Sequence, residues 1–130
     1  MAMARRAGDA YRQMMLNATP ASLFLSSVRL HFLDDQQAYS YFQDTQLRYA
    51  RKELDTITFV HRNAVLLQRD VDLLKQLFAF LQPYSFQVTH AAASFTVAIA
   101  HPQLPAPVML TVRLTPEPAS TAYARAFPGS

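Results

Sequence analysis

Between Ile57 and Leu81 one row of apolar positions, Ile57, Val60, Ala64, Leu67, Val71, Leu74, Phe78 and Leu81, is spaced alternately by three and four residues. That is an a/d heptad row, the pattern of a helix whose apolar seam faces a partner helix. A second row, Phe59, Leu66, Leu73 and Phe80, recurs every seven residues. It lies roughly 100° from the d positions on the helical wheel. A helix with two such rows packs against two neighbours. Tyr39, Phe42, Leu47, Ala50 and Leu54 form an earlier face that falls out of phase with the heptads near 54–60, where Thr56, Ile57, Thr58 and Val60 cluster.

Asp34 suits an N-cap, with Gln37 as the reciprocal partner of a capping box, and Gln82–Pro83 is a stop signal. A single helix over 35–82 would be about 72 Å long. A compact chain of this size is only roughly 35–40 Å across. Two arrangements follow: a continuous helix with a stammer that projects as a stem, or a hairpin turning near His61-Arg62-Asn63. The second needs a turn without glycine or proline, so the long helix is expected.

On either side the alternation has period two, the mark of half-buried strands. Val28, Leu30 and Phe32 oppose Arg29 and His31. After Pro83, Phe86 and Val88 oppose Ser85, Gln87 and Thr89. Phe95, Val97 and Ile99 oppose Ser94, Thr96 and Ala98, and Val108, Leu110 and Val112 oppose Met109, Thr111 and Arg113. The expected fold is α+β: one strand, a long helix or helical hairpin, then a three-stranded antiparallel meander in a two-layer sheet-on-helix arrangement. The domain covers 21–117. Residues 1–20 and 118–130 are expected as tails or short helices. The two glycines, Gly8 and Gly129, leave 120 consecutive residues with none. Few, long elements are therefore expected.

Composition narrows the function. The chain has 130 residues, is 51% hydrophobic, and has no cysteine, so disulfides, thiolate metal sites and thiol nucleophiles are excluded. The net charge of +3 is spread thinly. Arg48, Arg51, Lys52, Arg62 and Arg69 are interleaved with Asp44, Glu53, Asp55, Asp70 and Asp72, which gives no basic face for nucleic acid. No apolar run reaches the ~20 residues of a membrane span. Residues 3–16 are arginine-rich, so an organelle presequence has to be weighed; a cytoplasmic, intracellular setting is expected. His31, His61, His90 and His101 are scattered without zinc-ligand spacing. Asp34–Asp35 and Asp70/Asp72 read as helix starts and solvated faces, with Asp44–Arg48 and Asp72–Lys75 as intrahelical pairs. No catalytic set, metal site or cofactor motif is expected, and a phosphate loop is excluded by the missing glycines.

From Gln76 to Val112 there is no Asp, Glu, Lys or Arg. A wet sheet face normally carries charges, and edge strands use them to block edge-to-edge pairing. An interface core is depleted of them. The expected function is a non-catalytic interaction or assembly subunit (adaptor, chaperone-like factor or scaffold) forming a homodimer or pairing with a related subunit. The expected interface is the heptad row Ile57, Val60, Ala64, Leu67, Val71, Leu74, Phe78 and Leu81, together with Thr89, Thr96 and Ala98 of the sheet. Two alternatives remain: a small-molecule or enzymatic pocket lined by Tyr41, Tyr84, Phe86, His90 and Phe95, and a membrane-active β-hairpin within 85–115. The first reading involves no nucleic acid and no membrane.

Overall fold

The structure, a computed structural model, describes residues 19–129. The N-terminal segment expected as a tail or short helix, and the arginine-rich stretch weighed as a presequence, fall almost wholly outside them. The described residues form an α+β fold with five helices and three strands. In chain order these are α1 (Pro20–His31), α2 (Gln36–Ala50), α3 (Thr56–Leu66), α4 (Val71–Phe78), β1 (Ser85–His90), β2 (Ser94–Ala100), β3 (Val108–Arg113) and α5 (Ala119–Ala126).

The expected first strand is a helix. Thr19 and Ser22 close a reciprocal capping box and Pro20 occupies the first turn, its fixed φ already helical. The short alternation Val28-Leu30-Phe32 misleads because the buried row is Phe24, Val28 and Phe32, at intervals of four. Leu30, placed inward by the strand reading, is 67% exposed.

The expected long helix is three helices, and the breaks are not at His61-Arg62-Asn63, which lie inside α3. Each of the three begins at an aspartate whose carboxylate accepts a hydrogen bond from the backbone N–H three residues on: Asp35 from Ala38, Asp55 from Thr58 and Asp70 from Leu73. The cap of α2 is thus Asp35, not Asp34. The first break is a left-handed C-terminal turn. Glu53 N–H donates to Arg48 C=O and Lys52 N–H to Tyr49 C=O, with Lys52 at φ 63° where glycine is usual. At the second, Asp70 N–H donates to Leu67 C=O, and the buried amide of Gln68 donates to Val65 C=O at the end of α3.

The strands form one antiparallel sheet in the order β1-β2-β3, so the three-stranded meander is as expected. Cross-strand rows run Phe86↔Ile99↔Val108, Val88↔Val97↔Leu110 and His90↔Phe95↔Val112 in register. Except for exposed His90, these rows turn toward the helices, and Phe95, Val97 and Ile99 of the central strand are buried. Phe78 of α4 stacks on Phe86 of β1 with ring centres 4.1 Å apart. Tyr49 of α2 stacks on Phe59 of α3 at 3.9 Å. The C-terminal segment contributes to the core: in α5, Tyr123 is buried and stacks on Tyr41 of α2 at 4.7 Å.

Candidate interaction surface

The heptad residues do not form an outward seam. Ile57, Val60 and Ala64 lie on α3 and Leu67 just beyond it, while Val71, Leu74 and Phe78 lie on α4 and Leu81 after its end. Leu67 and Leu74 have no solvent exposure; Val60, Ala64, Phe78 and Leu81 are buried, and Ile57 and Val71 are partly buried against the same core. The turn at 67–70 separates the row into two directions, and both halves are consumed by the chain's own interior. A coiled coil with a second chain would have to empty that core. This part of the expected interface is therefore corrected: it is the fold's centre.

The sheet residues stand differently. Thr89 is exposed, Thr96 and Ala98 are half-buried, and all three point away from the helices. The outer face consists of the rows Thr89↔Thr96↔Thr111 and Gln87↔Ala98↔Met109, flanked by Ser85, Ala100 and Ser94. Thr96 and Thr111 hydroxyls are 3.0 Å apart and hydrogen-bonded across the strands. Met109 is 61% exposed, and the only charged side chain on this face is Arg113 at the margin. Short hydroxyl and methyl side chains cost little to desolvate compared with lysine or glutamate.

A second exposed apolar surface lies on α1, where Leu23 and Phe80 border a groove of about 320 Å³ together with Pro20, Ser27 and Ala79. The sequence pattern does not point to it, because Phe80 reads as part of the second heptad row and the end of α1 reads as a strand.

The residues proposed for a single pocket are dispersed. Tyr84 and Phe86 border an open cleft of about 300 Å³ with Lys75, Phe78 and Gln82. Phe95 is in the core, His90 is exposed at the strand end, and Tyr41 is stacked beneath α5. The four histidines are likewise separate. His31 approaches Asp70 at 3.9 Å, His61 meets the edge of Phe127, and His101 Nδ1 accepts from Gln103 N–H. Among the described residues no group of three or more histidine or acidic side chains converges as a metal site would require.

Several polar groups at or near the core have structural partners. Asp35 uses both carboxylate oxygens, one accepting from Ala38 N–H of α2 and the other from Ser120 N–H of α5. Partial burial opposes its charge, but the bonds from Ser120 and Ala38 and the nearby Arg69 outweigh that and hold its pKa below the ordinary 3.8. Asp55 is lowered by its bonds from Thr58. His61 is lowered from 6.5 by burial first and by the Arg62 charge second. Thr45 donates to Tyr41 C=O, Arg62 donates to Tyr123 Oη, and so the phenol's proton is directed to Thr45 Oγ1, 3.0 Å away. That network fastens α5 to α2 and α3.

Comparison with known protein families, characterised proteins and solved structures yields no match for this chain. Among the described residues no helix is long and apolar enough to cross a membrane.

Proposed function

We propose that the chain is a non-catalytic interaction or assembly subunit that self-associates through the outer face of its sheet. The single observation behind this reading is the composition of that face: an open surface of Ser, Thr, Gln, Ala and Met, uncovered by any described helix, with one charge at its edge. Two copies related by a two-fold axis would meet face to face with sheets about 10 Å apart. Like would meet like without burying an unpaired charge.

Area sets the strength of this contact. Three strands at ~4.8 Å spacing and six residues at ~3.4 Å each give a face of about 300 Å². Stable complexes bury about 800 Å² per partner. The association is therefore weak and reversible, suited to a subunit that assembles at high local concentration or is reinforced by a further partner.

The experiment is an amide-resolved NMR dilution series. The reading predicts concentration-dependent shifts concentrated at Gln87, Thr89, Thr96, Ala98 and Met109, with α1 silent. Shifts confined to Leu23, Leu30 and Phe80 would move the contact to the α1 groove and overturn it, and so would a spectrum independent of concentration.

A further inference from the structure

We infer that the free edge of β3 is a docking groove for an extended, acidic peptide segment of a partner protein, which would join the sheet as a fourth strand. This is a different surface from the outer face of the sheet and does not require self-association.

The backbone directions establish the edge. Leu114 N–H donates to Ala93 C=O at the start of β2. Backbone groups alternate sides along a strand, so the N–H and C=O groups of Met109, Thr111 and Arg113 turn away from β2. No described strand pairs with that side of β3. The next amide in the same direction, Thr115 N–H, is already capped by the buried side chain of Gln68, whose Oε1 accepts it at 3.0 Å. Gln68 thus makes the kind of bond that an added strand would make, and marks where such a strand ends.

Beside this edge is a groove of about 320 Å³, walled by β3 on one side and by α3 and α5 on the other. Its floor is apolar, with Val65, Val112, Ala122 and Ala126. Thr115 Oγ1 is buried in the same wall without a hydrogen-bond partner. The volume and lining suit one or two aliphatic side chains from alternate positions of an extended chain.

Charge selects the occupant. Arg113 lies on the outer face at the edge, and among the described ion pairs it has none, whereas Glu117, the acid lining the groove, is engaged by Arg125. The side chains of an added strand alternate between the groove and the outer face. A segment with aliphatic residues inward and acidic residues outward would satisfy both surfaces, with one carboxylate across from Arg113.

The test uses the full chain and a capped peptide of alternating glutamate and valine, matching β3's six residues, followed by amide NMR and fluorescence anisotropy. Binding should shift Thr111, Arg113 and α5 amides while leaving β1 unchanged. Arg113→Glu, an exposed substitution that preserves the fold by circular dichroism, should weaken binding roughly fivefold or more. A lysine–valine peptide should bind correspondingly more weakly, and N-methylation of alternate peptide amides should abolish binding because it removes the ladder donors. No shift at millimolar peptide, equal binding of the lysine peptide, or indifference to N-methylation would overturn the inference. Each of these results leaves the dilution behaviour of the free chain untouched, so the two proposals fail separately.

Discussion

At the scale of single residues, the decisive positions are those that start and stop helices. The strong heptad spacing conceals that Asp55 and Asp70 are caps, because each sits within a run that reads equally well as a charged helix face. Each capping aspartate replaces solvent at an otherwise orphaned N–H, and losing one costs about 0.5–2 kcal/mol. Asp35→Ala should lie at or above the top of that range, since it also releases Ser120 at the start of α5; chemical denaturation measures it. Lys52 performs a glycine's role at positive φ. Lys52→Gly should stabilise by about 0.5–1 kcal/mol, the balance of relieved strain and added chain entropy. Acid should weaken the fold in two windows. His61 has a folded pKa below 6.5, so its neutral form is favoured by folding and stability falls as pH drops from 6.5 through the lowered value. Asp35 and Asp55, lowered from 3.8, contribute stability that is present above 3.8 and lost as pH falls through their folded values. The His61→Gln variant should lack the first window in pH-dependent melting.

At the scale of elements, period and length were legible for the sheet but not for the helices. The three strands after Pro83 alternate cleanly, and the structure pairs them in that order. The helical stretch was over-read because the a/d row crosses from α3 to α4 without losing its spacing, while the chain turns at Leu67–Asp70. A row shared by two helices packed on one core and a row along one stem have the same sequence. In α1 the reverse holds: three residues at its end alternate like a strand, while the capping box and the i, i+4 row set the helix. Substitution separates core from seam. Leu74→Ala should destabilise by about 2–5 kcal/mol as a cavity in a filled interior. The loss should be independent of protein concentration, because Leu74 has no exposed surface to offer a second chain. A stability loss that vanished at high concentration would restore the seam.

For the whole molecule, the expected interface divides into a part that the chain buries within itself and a part that it leaves exposed. The helices bury their main rows within the chain, and α5 closes the core beside Tyr123. Among the surfaces left outside are the neutral sheet face, the free edge of β3 and the leucines of α1. The face was visible in the sequence as a long interval without charge; the edge groove was not, because it depends on where α5 returns relative to β3. Self-association through the face is tested most directly by sedimentation over a micromolar to millimolar concentration range. The mass should rise from one 14.7 kDa chain toward two. It should stay at one in Ala98→Lys, with the exposed-site variant Met109→Lys as the check that this loss is not unfolding. A single-chain mass at every concentration, or a dimer that both lysines leave intact, would contradict the account.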